Sequence, residues 1–304
     1  MKLKIMHLNE YSYGNFITDD DKETHLEPTL IDNSINELRL KPRTNYRQHL
    51  EYFDLRTSPA APVRWHKDYF HSDIACFEIV EPHDQLAIIT TSVVLTAENE
   101  PRSGYVLKPE DERALLNSSQ FQNRYAEYLY MTPQTLITKS VAEYLKDLYS
   151  QCSTSCIYDY VRSLTHQIHE TFLYQPGLTN IHTTVDDTVR LKGGVCQDFA
   201  HLMLATCRNI GVPARYVSGY QYIGDLPENV GNDNLTVAMH AWIEAFIPGA
   251  GWLGFDPTND NIMSWRYVKV ADGRDYSDIV PIKGVYRGSA IQTLNVKVKI
   301  DKLD

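Results

Sequence analysis

Gly193-Gly194-Val195-Cys196-Gln197-Asp198-Phe199-Ala200-His201 places a cysteine directly after a Gly-Gly turn, in the first turn of an amphipathic helix. The apolar face of that helix continues through Phe199, Leu202, Met203, Cys207 and Ile210. Gly211 ends it in a left-handed conformation, with Pro213 just beyond, the usual signature of a helix C-terminus. A thiol at a helix start faces backbone N–H groups that lack an intrahelical acceptor and the positive end of the helix dipole. Both favour the thiolate, the nucleophilic form of cysteine.

Working outward from the cysteine, the next segments are strands. Arg215 to Tyr222 is one; His240 to Ile247 and Trp252 to Asp256 alternate in polarity, and Pro248-Gly249-Ala250-Gly251 between them is a turn. Pro248 lies midway between His240 and Asp256, so a hairpin sets the two opposite each other on one face, with Cβ atoms about 5 Å apart. Asp256 then accepts from one imidazole nitrogen of His240 and leaves the other free for a nucleophile. The start of the helix carrying Cys196 is expected to pack against that sheet face. Cys196, His240 and Asp256 together have the makings of an acyl-transfer centre. The backbone N–H of Cys196 is one oxyanion donor, and Gln197 and Trp242 are candidates for a second.

Upstream, two helices are expected from apolar residues at i, i+3, i+4, i+7: Val141, Tyr144, Leu145 and Leu148, then Ile157, Tyr160, Val161, Leu164 and Ile168. Ser153 or Thr154 is placed to cap the second. Before them, residues 1 to about 100 are strand-like, with Leu38 to Lys41, Ala75 to Val80 and the β-branched run Leu86 to Leu95. Ala97 to about Asp111, with Glu98, Glu100, Pro101, Gly104 and Pro109, is a linker by composition. Leu294 to Ile300 alternates as an edge strand with lysines outward. The expected architecture is α+β: a β-sandwich-like domain over residues 1–105, then a domain over 106–304 with helices packed on an antiparallel sheet.

At 304 residues with 43% hydrophobic content, the chain can bury two cores. A net charge of −10 argues against nucleic acid as a partner. No apolar run reaches the roughly 18 residues of a membrane span, and no signal-peptide core follows Lys2 and Lys4. Five cysteines, few and odd in number, fit free thiols in a reducing compartment, so a cytoplasmic location is expected. Cys152 and Cys156 lack a second ligand pair, and no metal or other cofactor is expected.

The segments Tyr174 to Gly177, Gly194 to Leu202, Gly211 to Tyr220, His240 to Glu244 and Gly251 to Asn259 together resemble the transglutaminase-like superfamily of papain-like thiol enzymes. Gly273 to Asp278 is similar to its bacterial subgroup, and Leu38-Arg39-Leu40-Lys41-Pro42-Arg43 to the domain that precedes the core there. The resemblance implies a calcium-independent enzyme with Cys196 as nucleophile, His240 as base and Asp256 as its orienting partner. Met239 departs from the small residue often found before the histidine, and either packs or narrows the cleft.

Other residues take plainer readings. His201, five positions beyond Cys196, does not share the thiol's helix face and is structural, bonded to a backbone carbonyl. Asp198 complements the helix dipole. Trp242 and Trp252 pack the hairpin, although Trp242 shares a face with His240. Tyr276 and Asp275 are candidates for the cleft lining, and the polar stretch from Ile223 to Ala238 for a loop over the site. A peptide or protein substrate follows, hydrolysed at an amide or passed to an amine. A binding module that keeps the fold without chemistry, and a scaffold recruiting partners through its N-terminal sandwich, are the competing readings.

Overall fold

The computed structural model describes residues 1–18, 24–97, 107–151, 156–224 and 239–303. Strands β1 (Lys2–Thr18), β2 (Thr24–Pro28), β3 (Asp32–Leu38), β4 (Gln48–Ser58), β5 (Arg64–Lys67), β6 (Asp73–Ile79) and β7 (Gln85–Thr96) come first. Then follow helices α1 (Pro109–Asn117), α2 (Ser119–Arg124), α3 (Lys139–Gln151) and α4 (Ile157–Thr171). The segment β8 (Leu173–Tyr174), α5 (Val185–Leu191), β9 (Gly193–Gly194) and α6 (Cys196–Asn209) leads into β10 (Ala214–Gln221), β11 (His240–Ile247), β12 (Gly251–Asp256), β13 (Asn261–Ile262) and β14 (Tyr267–Gly273). The chain ends with β15 (Ile282–Arg287) and β16 (Ile291–Leu303).

Two antiparallel sheets, β16-β1-β7-β4 with β2 beside β1, and β15-β3-β6-β5, form the N-terminal sandwich. Tyr11, Tyr13, Ile31, Leu38, Phe77, Ile79, Leu86 and Ile88 fill it. The third sheet, β13-β12-β11-β10-β14, carries the helices. The α+β class holds. The last strands, expected in the second domain, return to the first: β15 pairs with β3 and β16 with β1. β16 is an edge strand with Lys297 and Lys299 exposed, as its alternation implies.

Strand β1 shows why the two parts do not separate at residue 105. Its odd residues face inward from Leu3 to Tyr13, but Leu3 and Ile5 join the helical core while Tyr11 and Tyr13 join the sandwich core. Between them lie the buried polar residues His7 and Asn9. His7 Nδ1 lies 2.9 Å from the Tyr220 hydroxyl of β10. Burial, only partly offset by Asn9, pushes the His7 imidazole down to about 4, so it stays neutral at the seam.

A buried charge cluster ties the sandwich to the third sheet. Arg215 of β10 bonds Glu244 at 2.7 Å and Asp272 at 3.2 Å. Lys269 reaches both carboxylates, at 2.8 and 2.9 Å, and Arg43 from the sandwich side bonds Asp272. The Gln48 side chain brackets β14, accepting from Lys269 N and donating to Lys269 O, each at 2.8 Å.

The two amphipathic helices appear as α3 and α4, with the predicted apolar residues buried or, at Tyr144, Ile157 and Tyr160, partly buried against the core. The N-cap of α4 is Cys156, which accepts from Asp159 N; Ser153 and Thr154 lie outside the described residues. Most of the expected linker, residues 98–106, also lies outside them, and α1 begins at its far end. Helix α6 is buried on every side from Asp198 to Arg208, not on one face. It is the central helix, packed on β10 and β11 and flanked by α4 and α5. Among the described residues no helix is long and apolar enough to cross a membrane.

Candidate active site

Cys196 is the first residue of α6. Its position is set by the residues before it. Lys192, not a glycine, takes the left-handed conformation that ends α5 (φ 54°). Gly193 and Gly194 instead form β9, paired in parallel with β8. They are glycines because the chain is crowded there. A Cβ on Gly194 would sit 2.5 Å from Asp198 Oδ2, and one on Gly193 2.8 Å from the Leu173 carbonyl oxygen. Asp198 Oδ2 accepts from Val195 N at 2.8 Å and from the Thr179 hydroxyl at 2.6 Å. The expected dipole role is thus joined by a specific lock on the helix start. Burial raises the Asp198 carboxyl despite those two bonds.

The N–H groups of Asp198 and Phe199 both donate to Val195 O. The donors left at the start of α6 are the main-chain N–H groups of Cys196 and Gln197. They form a pair suited to an oxyanion.

His240 opens β11 and Asp256 closes β12. The hairpin register pairs Ile243 with Phe255 and Glu244 with Gly254, so its centre is Gly249 and the strands are offset by two residues from the expected alignment. Trp242, not His240, falls opposite Asp256. Because side chains alternate with a period of two, this offset keeps His240 and Asp256 on one face; an offset of one would have separated them. His240 Nε2 donates to Asp256 Oδ2 at 2.7 Å, leaving Nδ1 for Cys196, whose sulfur lies close enough to favour the ring's cation.

Asp256 is fully buried and heavily bonded. Its Oδ2 also accepts from the Tyr267 hydroxyl and from Asn259 Nδ2, each at 2.8 Å. Its Oδ1 accepts from Thr258 N at 2.9 Å and Asn259 N at 3.3 Å. Gln221 completes the ring, donating to the Tyr267 hydroxyl at 2.9 Å and accepting from Asn259 at 3.1 Å. Burial alone would raise Asp256, but the His240 charge and the bonds from His240, Asn259 and Tyr267 hold it below the usual carboxylate range. Burial likewise works against the His240 cation, and the charge of Asp256 with bonds to Asp256 and Cys196 overcomes it, pushing the imidazole up to about 10.

That direction fixes a pH dependence. A folded value above the free value of about 6.5 means the stabilisation from the imidazolium is complete below that pH and disappears as pH rises through about 10. Any reaction that needs the His240 cation as proton donor is expected to fall off on the alkaline side near pH 10. A rate profile against pH for an amide substrate checks it; a limb near pH 7 in place of one near 10 would show that Asp256 does not hold the cation.

Of the sequence-derived candidates, the structure brings together Cys196, His240 and Asp256. The body of α6 packs with Ala241, Ile243, Ala245 and Ile247, the face opposite His240, and Cys196 meets His240 at the end of the sheet. The expected packing on the histidine's own face is corrected accordingly. That face is filled by Trp242 with Val217, Met263 and Tyr267. Trp242 is 1% exposed and its Nε1 is sealed from solvent with no partner among the described residues, so it buttresses His240 and is not positioned as an oxyanion donor. The Gln197 side chain donates to Ile181 O at 3.4 Å, so its contribution to an oxyanion pair is its main chain. Tyr276 packs edge-on to Tyr216, and its N–H donates to His201 Nε2 at 3.2 Å. His201 is therefore a buried acceptor from a backbone amide, not a donor to a carbonyl. Asp275 is buried and caps the turn at Ser277. Met239 packs against both cores, while the loop expected over the site falls, from 225 to 238, outside the described residues.

Asn259, Tyr267, Gln221 and Tyr174 were not singled out for roles from sequence. Asp256-Pro257-Thr258-Asn259 carries a signal for the first, since an aspartate commonly accepts from the N–H groups two and three residues on. Tyr267 and Gln221 come from strands whose pairing with the hairpin no local pattern announces. The Tyr174 hydroxyl is raised by burial and by the proximity of Cys196 and Asp256.

Residues 138–257 match the family model described as the transglutaminase-like superfamily, and residues 29–95 that described as the bacterial transglutaminase-like N-terminal region. An uncharacterised Mycobacterium leprae protein is 34% identical over 270 residues, covering 89% of this chain and 92% of that protein. A protein-glutamine gamma-glutamyltransferase of Pseudomonas aeruginosa is 38% identical over 95 residues, 30% of this chain and 14% of the relative. Among solved structures, a candidate cysteine protease from Cytophaga hutchinsonii superposes with a TM-score of 0.73 at 24% identity, over 100% of this chain and 91% of that one.

Proposed function

We propose, for a chain that belongs to the transglutaminase-like superfamily, that it is a thiol-dependent acyl-transfer enzyme hydrolysing peptide or amide bonds through a thioester on Cys196. The superfamily includes both cysteine proteases and transglutaminases. The observation carrying the reading is the line from the Cys196 thiol to the His240 ring to Asp256, with the last bond at 2.7 Å and the carboxylate buried.

The thiolate attacks the acyl carbon, and the oxygen takes up negative charge between the N–H groups of Cys196 and Gln197. The C–N bond breaks as His240 gives the Nδ1 proton to the departing amine. The same nitrogen then takes a proton from water, whose oxygen attacks the thioester; the C–S bond breaks, the acid leaves and the thiolate is restored beside the protonated His240. Asp256 keeps its charge throughout and keeps Nε2 protonated, as orienting carboxylates in such triads do.

Water resolves a thioester unless a site excludes it in favour of an amine, which favours hydrolysis. The Pseudomonas aeruginosa relative, a gamma-glutamyltransferase by name, makes amine transfer the alternative. The test offers an acetylated glutamine-containing peptide with and without a primary amine, with acid quenching and mass spectrometry. The expected result is an acyl adduct on Cys196 and mostly hydrolysed product. Mostly amide product would assign a transferase. No adduct and no turnover, with Cys196 labelled by iodoacetamide no faster than the other thiols, would overturn the enzymatic reading in favour of a binding module.

A further inference from the structure

We infer that the outer edge of β8 holds the main chain of the substrate by strand addition, so that an extended peptide with apolar side chains lies beside Cys196. This rests on the thiol reading above and adds to it how the substrate is held. β8 pairs with β9 in parallel, Leu173 opposite Gly193 and Tyr174 opposite Gly194. The bonds toward that side come from Leu173 N to Lys192 O at 3.0 Å and Gln175 N to Gly194 O at 2.8 Å. Successive residues of a strand turn their N–H and C=O to opposite edges. Tyr174, between those two donors, therefore turns both of its backbone groups away from β9. Among the described residues neither has a hydrogen-bond partner.

An unpaired strand edge is a template for another strand. This one belongs to the residue opposite Gly194, two positions before Cys196, so a chain paired with Tyr174 runs past the thiol. The side chains around it are apolar and exposed: Leu173 at 65%, Tyr174 at 51% and Ile181 at 52%. Ile181 is tied to the nucleophile's helix, since its carbonyl accepts from Gln197. An extended peptide supplies backbone groups for the edge and side chains for this apolar surround. The inner strand cannot serve instead, because Gly193 and Gly194 are buried between β8 and α6. Their lack of side chains is what lets β8 lie so close to the start of that helix.

The probe is acetyl-Leu-Ala-Leu chloromethyl ketone, which alkylates the Cys196 thiolate: the C–S bond forms and chloride leaves. A set of probes N-methylated at one amide at a time removes one main-chain donor each. Alkylation of Cys196 is read by mass spectrometry, with iodoacetamide as a reagent that has no peptide backbone. One N-methyl position is expected to lower the peptide rate about fivefold, the typical worth of one hydrogen bond. Tyr174→Pro, which deletes the N–H of the edge, is expected to lower the ratio of peptide to iodoacetamide rates by a similar factor, and Tyr174→Phe, which keeps the backbone, to preserve that ratio. A flat N-methyl profile with fast iodoacetamide labelling of Cys196 would overturn strand addition and leave the thiol reading intact. Labelling of Cys196 no faster than the other thiols by either reagent would overturn the thiol reading, and strand addition with it.

Discussion

Replacing Cys196 with alanine is expected to lower turnover by a factor on the order of 10⁴ or more, the scale seen when the nucleophile of such a unit is removed. The fold should hardly notice. Cys196 is partly exposed and its side chain only borders the helical core, and substitutions of that kind usually stay within about 0.5 kcal/mol. Thermal unfolding and circular dichroism should therefore match the parent while peptide hydrolysis vanishes. Groups that act as one unit are not additive, so His240→Ala placed on top of Cys196→Ala should cost little further rate. His240→Ala does carry a separate penalty in stability, because it leaves the fully buried Asp256 without its cation. The alanine at 196 is thus the cleaner experiment. A Cys196→Ala protein that still turned over substrate would place the chemistry elsewhere.

The largest expected loss of stability is at Arg215→Ala, remote from that chemistry. Arg215 bonds Glu244 and Asp272 and lies over the Trp252 ring at 4.4 Å. Its removal leaves two buried carboxylates sharing Lys269 and Arg43. Breaking a buried ion pair from one side costs about 3–5 kcal/mol. For a chain of this size that is a fall in Tm on the order of 5–8 °C. Arg56→Ala is the matched control: its pair with Asp54 is on the surface, with the arginine 76% exposed, and is worth under about 1 kcal/mol. Equal effects of the two substitutions would show that the cluster does not bind the sandwich to the sheet. The acid side gives a second readout. Burial would raise Asp272, but the charges of Lys269, Arg215 and Arg43 bring it down to about 2. Its stabilising contribution is then present at neutral pH, above the ordinary carboxylate range, and is lost as pH falls through about 2.

Much of this site is legible because its signals are local. A cysteine at a helix start after two glycines, a histidine and an aspartate at the ends of consecutive strands, and a Pro-Gly turn between them each occupy a short window. Face, unlike register, survives an even offset, so the His240–Asp256 contact was recoverable although the hairpin is centred one residue later than its turn residues imply. The roles of Trp242 and Tyr276 were not recoverable in the same way. An aromatic on an alternating strand has the same pattern whether it lines a cleft or fills the space behind one; Trp242 is sealed by Met263 and Tyr267, from segments that meet it only in the folded chain.

The sequence by itself determined the α+β class, the helix that starts at Cys196 and ends at Gly211, the three residues that meet at the site and the face that His240 and Asp256 share. These follow from propensity, capping and hydrophobic period, which act within about ten residues. The tertiary structure alone decided that the final strands close the first domain, that β1 serves two cores, and that Tyr267, Asn259 and Gln221 surround Asp256. It also decided that Arg43 reaches across to Asp272. The physical reason is common to all of these: each is a contact between segments far apart in the chain, chosen by which edge is unpaired, which face is uncovered and which buried charge lacks a partner, and those vacancies exist only once the rest of the chain has folded around them.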